Sequence, residues 1–363
     1  LNQGFMDAYF DFVLGYYGVD ARQSNEKIAA QQVQALLADY LSRAYVDEYF
    51  SAKAKADVEE MIGEFIAIYK ERILAQDWMS AETKAKAVKK LDTMGVKVGY
   101  PDSWESCLDR AEIKSPAEGG SFFSNVIAIQ MAMKQDVLAH QNDAPDKSEW
   151  IMTPFTVNAC YNPSANDITF PAAILQNPFF DPEATDAENY GGIGVVIGHE
   201  MTHGFDDQGR NFDAKGNMTD WWTPEDTEAF EALTKKLGAQ FDAVEILPGL
   251  MANGTYTMGE NIADHGGLLV AHQAYLNSLK GKETPAPIDG FTNEQRFFLG
   301  YATLWGQNIR PEEIRRRTKI DPHSLGKWRV NAALRNIAPF YAAFDIKEGD
   351  PMFMAPADRV VIW

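Results

Sequence analysis

The chain has 363 residues, 45% of them apolar and 12% aromatic, with no repeated or compositionally biased tract. That excludes a disordered or fibrous protein and fits two folded domains, or one large one. The 33 Lys and Arg against 52 Asp and Glu leave a formal charge of −19, which repels phosphate backbones and argues against nucleic acid as a partner.

The opening run, LNQGFMDAYFDFVLGYYG, carries aromatic periodicity unusual at a chain terminus, so the chain is expected to be a piece of something longer. From about Asn25 to Met94 the pattern is helical. Ile28, Val33, Leu36, Leu37, Tyr40 and Leu41 recur at three- and four-residue steps, as do Val58, Met61, Ile62, Phe65, Ile66 and Tyr69. A further helix starts at Ser80, a candidate N-cap, and is expected to stop at Gly95. Gly and Pro in KVGYPDSW and EIKSPAEGG then mark a boundary, giving parts 1–118 and 119–363.

In the second part a helix is expected from Ser121 to His140. Two extended runs, MTPFTVNACY and DITFP, follow around an Asn-Pro-Ser turn and predict a hairpin or sheet edge. Further helices should hold IGVVIGHEMTHGFDD, Thr223 to Phe241, GENIADHGGLLVAHQAYLNSL and RFFLGYATLWGQN. The fold class is therefore mainly α with a small β component (α+β). No stretch approaches the roughly 20 apolar residues of a bilayer span, so no membrane segment is expected in this chain. Cys107 and Cys160 are too few for a disulfide framework and have no metal-binding spacing.

The sharpest local signal is HEMTH. His199 and His203, four apart on a helix, project from one face and can meet one tetrahedral ion, while Glu200 reaches the ion's open side and can take a proton from water that the ion acidifies. The extended pattern that would supply a third histidine fails, because Asp206 and Gly209 stand where Gly and His are required. A carboxylate from a second helix is the alternative. Glu260 and Asp264, one turn apart in GENIADHGG, offer a ligand and a partner for a ligand histidine. They also fit a solvated acidic face, but Gly259, Gly266 and Gly267 beside them point to tight packing.

Together, VIGHEMTHGFDDQGRNFD, VNACYNPSANDITFPAAILQNPFF, GENIADHGG, DPHSLGKWRVN and the final VIW resemble the neprilysin and endothelin-converting-enzyme family of zinc metallopeptidases, in its bacterial oligopeptidase form. The resemblance implies a thermolysin-like gluzincin catalytic domain at 119–363 and the C-terminal portion of a helical lid domain at 1–118. It implies one Zn²⁺ per active site, held by His199, His203 and Glu260, with Glu200 as general base and Asp264 orienting a ligand histidine. His323 corresponds to the donor to the oxyanion, Arg329 to the arginine that binds a substrate carbonyl, and Asn158 with Ala159 to the edge-strand pair that binds the substrate main chain. Phe179, Val195, Val196, Leu304 and Trp305 correspond to the pocket for the side chain after the cleaved bond.

The implied activity is endopeptidase cleavage of oligopeptides on the amino side of large hydrophobic residues. The alternatives are an inactive peptide-binding relative, or a fragment active only with its missing N-terminal remainder as partner. The implied location is a bacterial envelope or secreted one, with the cytoplasm as the alternative. Two departures stand beside the match: Cys160 where the family usually has Tyr, and Ala173 where it usually has Gly.

Overall fold

Many of the helices begin where the sequence supplies an oxygen to satisfy a free backbone N–H. Ser51 accepts from Ala54 N at the start of α4 (Ala52–Ala75), and Ser80 from Thr83 N at the start of α5 (Ala81–Asp92). Thr223 does the same for α9 (Pro224–Asp242), and Thr292 with Gln295 forms a capping box on α11 (Asn293–Leu304). The computed structural model describes residues 2–283 and 285–363. Its other helices are α1 (Gln3–Tyr17), α2 (Asn25–Leu36), α3 (Ala38–Tyr49), α6 (Phe122–His140), the short α7 (Asp186–Asn189), α8 (Val195–His203), α10 (Met258–Ser278), α12 (Pro311–Ile320), α13 (Gly326–Leu334) and α14 (Ala338–Phe344). The fold is mainly helical, as expected.

The strands are few and short. β1 (Gly95–Gly99), β2 (Cys160–Asn162) and β3 (Asp167–Pro171) form one sheet in the order β1-β3-β2; β1 runs parallel to β3 with Val98 opposite Phe170, and β2 antiparallel with Cys160 opposite Thr169. The second of the two expected runs is thus a strand, while the first contributes only its last residues. Gly95 opens a strand rather than merely ending a helix. A second hairpin, β4 (Glu245–Leu247) with β5 (Leu250–Met251), lies outside any expected element.

The periodic face of α4 is the one that packs: Val58, Phe65, Tyr69 and Ile73 are completely buried, and they share a core with Ile168 of β3, Ile197 of α8 and Ile262 of α10. The corresponding face of α2 and α3 does not bury in the same way, since Val33 and Tyr40 remain exposed. Hence α4, α5 and β1, which precede the boundary expected near 118, are continuous with the core of the later part. Tyr69 of α4 donates to Thr202 of α8 at 3.2 Å, so this scaffold lies directly behind the HEMTH helix. Trp363 fills the same core among Tyr69, Trp78, Phe205 and Phe230.

What sets the site is the crossing of α8 and α10. A Cβ on Gly198 would lie 2.8 Å from Gly267 Cα, and one on Gly267 would lie 2.7 Å from His199 N. Only glycine permits that approach. Gly266 meets the Thr202 side chain in the same way, at 2.5 Å. The glycines around GENIADHGG therefore mark tight helix packing, and Glu260 and Asp264 face α8 instead of solvent.

Candidate metal centre and cleft

With α8 and α10 in backbone contact, one ligand atom each from His199, His203 and Glu260 falls within 4.8 Å of the other two. His199 Nε2 and His203 Nε2 face each other at 3.0 Å, and they lie 3.3 and 3.6 Å from the Glu260 carboxylate oxygens. The opposite nitrogens are committed: His199 Nδ1 meets Asp264 Oδ1 at 2.9 Å, and His203 Nδ1 meets Asp206 Oδ2 at 2.6 Å. A carboxylate can only accept, so each Nδ1 carries the proton and each neutral ring presents its Nε2 lone pair to the same point.

Two lone pairs and a carboxylate converging there call for a cation. Glu260 Oε2 is buried and has no hydrogen-bond partner among the described residues. Burial opposes charge on His199, yet the Asp264 and Glu260 carboxylates outweigh it and raise its pKa to about 10, so positive charge is favoured at this ring. Burial likewise opposes ionisation of Glu260, but His199, His203 and Arg329 hold it well below the usual carboxylate range. The site favours positive charge at its centre, and two imidazoles with one carboxylate are a donor set that suits Zn²⁺ with a fourth position open. The residues present fit the metal.

Glu200, 6% exposed, sits one residue from His199 on the same helix. Burial raises its pKa, against the opposing pull of His199 and His203. A carboxylate so placed accepts a proton more readily than one in water.

The centre opens into a cavity of about 520 Å³. Every residue expected at the site lines it: Asn158 and Ala159 where the chain enters β2, Phe179, Val195 and Val196 with Leu304 and Trp305 on an apolar wall, and His323 and Arg329 beside Glu260. Asn158 is exposed, whereas Ala159 is buried. β2 pairs with β3 on one side only, so its outer edge is open among the described residues.

His323 is held by Asp321, which accepts from its Nδ1 at 2.8 Å and its backbone N at 3.0 Å, and its Nε2 lies 3.3 Å from Glu260 Oε2. Ser324 Oγ donates to Asn261 Oδ1 at 2.7 Å, tying this loop to α10. Arg329 is 5% exposed and stacks over Trp305, its Cζ 3.9 Å from the ring centroid. Its Nε and Nη2 hold Asp264, while Nη1 makes no hydrogen bond among the described residues.

Three contributors lie outside the sequence expectation. Asp206 orients His203 as Asp264 orients His199, and Tyr161 and Tyr301 complete the cavity wall. Asp206 sits only three residues after His203, within its reach, but in the sequence it reads as part of an acidic turn.

Fold and site thus define a metal centre built from a helical HExxH and a glutamate of a second helix. The family model described as peptidase family M13 matches residues 158–360, and a second of the same description matches 1–101. The chain is 36% identical over 363 residues to a neutral endopeptidase of Lactobacillus helveticus, covering 100% of this chain and 54% of that protein. It is 34% identical over 370 residues to neprilysin of Homo sapiens, covering 100% of this chain and 49% of the relative. A solved zinc metalloprotease of Mycobacterium tuberculosis, in complex with an inhibitor, superposes with a TM-score of 0.92 at 40% identity, over 100% of this chain and 55% of that one. The chain belongs to peptidase family M13. It spans about half the length of the relatives it matches.

Proposed function

We propose that the chain carries the catalytic centre of a zinc-dependent endopeptidase that hydrolyses oligopeptides and cuts on the amino side of large hydrophobic residues. One observation carries this: the two Nε2 lone pairs and the Glu260 carboxylate meet beside the buried Glu200 at the floor of a single cleft. Zn²⁺, when bound there, supplies a Lewis acid that acidifies water and polarises the scissile carbonyl.

The chain's own residues do the rest. Glu200 takes the proton of the attacking water on a carboxylate oxygen and returns it to the leaving amine. His323, its ring fixed by Asp321, turns Nε2 toward the cleft, where a proton on it can stabilise the developing oxyanion. Arg329 offers Nη1 to a substrate carbonyl while its other nitrogens keep Asp264, and through it His199, in place. The backbone at Asn158 and Ala159 leads directly into the open edge of β2 and takes the substrate main chain as an added strand. The apolar wall formed by Phe179, Val195, Val196, Leu304 and Trp305 receives the side chain after the cut bond.

In this scheme residues 119–363 are the catalytic domain. Residues 1–118 supply its α4, α5 and β1 scaffold together with helices of a lid. The relatives are about twice as long, and the exposed Phe5, Tyr9, Phe12 and Tyr16 along α1 offer an apolar face to the N-terminal remainder of the protein. Hydrolysis of peptides bearing Phe or Leu after the cleavage point should disappear with a chelator, return with zinc, and exceed that of Gly analogues. A chain that holds zinc yet cleaves nothing, alone or with its N-terminal remainder, would leave only the peptide-binding alternative.

A further inference from the structure

Lys90 of α5 lies outside the cleft and takes no part in the steps above. It is nevertheless completely buried, an unusual place for a lysine. Its Nζ donates to three backbone carbonyls, Gly204 at 2.7 Å, Gly209 at 2.8 Å and Phe212 at 2.7 Å. An ammonium has three donors, and here each has one acceptor. The aromatic faces of Tyr161, Phe205 and Trp221 surround it.

Those three carbonyls belong to the loop that leaves the HEMTH helix and returns to it. Gly204 follows His203 directly, and a Cβ on Gly209 would lie 1.7 Å from the His203 carbonyl oxygen. Between these glycines stands Asp206. Its Oδ1 accepts from Gln208 N at 2.8 Å and Gly209 N at 2.6 Å, while its Oδ2 takes the His203 Nδ1 proton at 2.6 Å. Phe212 O also accepts from Trp221 Nε1 and Gly209 O from Phe212 N, both at 3.1 Å, but the three carbonyls aimed at one point would repel one another without a cation at their centre. The carboxylate that sets the His203 tautomer is thus carried on a loop whose two ends are joined by a single side chain from the N-terminal part of the sequence.

We propose that Lys90 is a positioning residue for the metal centre: by gathering the 204–212 loop around its ammonium it places Asp206 against His203 and so tightens metal binding. This rests on the zinc reading above and extends it to a residue that touches neither metal nor substrate. A packing role alone would lower the stability of metal-free and metal-loaded protein alike. A positioning role acts on zinc affinity, through Asp206.

The test is a double-mutant cycle on zinc affinity, measured by competition with a chromogenic chelator, using Lys90→Met and Asp206→Asn singly and together, with the melting temperature of the metal-free protein recorded alongside. Asn keeps the Oδ1 acceptor for the loop but can present an amide donor to His203 Nδ1. Lys90→Met is expected to weaken zinc binding by about 10-fold, in the range found when partners of metal ligands are removed, and to add little once Asp206 is Asn. Equal zinc affinity in Lys90→Met and the unaltered protein, or an equal loss in both backgrounds, would overturn the proposal. If Lys90→Met does not fold, Lys90→Gln, which keeps two donors, takes its place in the same cycle with a smaller loss expected. Failure of the unaltered protein to bind one zinc per chain sinks the zinc reading itself and is seen separately, in the first titration.

Discussion

Arg329 grips Asp264 with both arms of its guanidinium, Nε to Oδ2 at 2.7 Å and Nη2 to Oδ1 at 2.6 Å, in a place where both residues are buried. The same Asp264 oxygen that takes Nη2 also takes His199 Nδ1, so the pair sits one bond behind a candidate metal ligand. Burial disfavours a charged Asp264, but Arg329 and His199 hold its pKa below the ordinary value.

Replacing Arg329 by Met would leave that carboxylate buried with only the His199 N–H as partner, at a cost of about 3 kcal/mol. Part of the cost appears as stability and part as turnover. The expected result is a lower melting temperature, weaker zinc binding, and a fall of roughly 100-fold in kcat/KM, since each 1.4 kcal/mol is about tenfold. Arg329→Lys should recover little, because one ammonium cannot reproduce the planar fork. Steady-state kinetics beside a chelator titration separate these effects; a Lys variant equal to the parent would show that the fork geometry is irrelevant.

Glu200 is not among the three residues whose ligand atoms converge, so its amide should leave metal binding in place. For Glu200→Gln the expected outcome is one zinc per chain, by elemental analysis, with kcat reduced by about 10²–10⁴. Undiminished turnover would remove Glu200 from the mechanism.

A substrate laid as an added strand along Asn158 and Ala159 must lend its own backbone groups. N-methylation of a single peptide nitrogen facing that edge removes one hydrogen bond of about 1 kcal/mol, so KM should rise about fivefold. Methylation at a nitrogen facing away should change it little. Paired inhibition assays with the two methylated peptides read this directly, and identical constants would count against strand addition.

The residues of the candidate site were more legible in the sequence than the scaffold that holds them. His199, His203, Glu260 and the cleft residues sit in short runs whose spacing reports local helix geometry, and all of them line one cavity. β1 was not legible, because a five-residue run bounded by Gly95 and Gly99 looks like a linker, and its partner β3 lies about 70 residues on. α12 carries its signals in the sequence, with Pro311 in its first turn, Glu312 and Glu313 beside it, and Arg317 and Lys319 in its last turn. The contributions of Asp206 and Lys90 depend on a loop folding back on itself, which no periodicity encodes. The exposed aromatic face of α1 was visible as a pattern, but a pattern does not say whether its partner lies in the same half of a protein.

Two histidines apart from the centre give the fold a defined acid limit. His272 lies among Phe297, Phe298 and Tyr275, and burial lowers its pKa to about 4 from 6.5. His265 is lowered to about 4 by burial and by the charge of Arg72. Between pH 4 and 6.5 the unfolded chain therefore binds more protons at these rings than the folded one. Stability is complete above about 6.5 and is lost as pH falls toward 4, by roughly 3 kcal/mol per histidine. His272→Phe, which suits an aromatic surround, should remove one share of that slope. Denaturant unfolding of metal-free parent and variant at pH 7 and pH 4.5 isolates it, because the titration of His199 and His203 is common to both and cancels in the difference. The variant should gain on the parent by 2 kcal/mol or more on acidification, by the order of magnitude of the shift. A difference that does not change with pH would show that His272 is already protonated in the folded state.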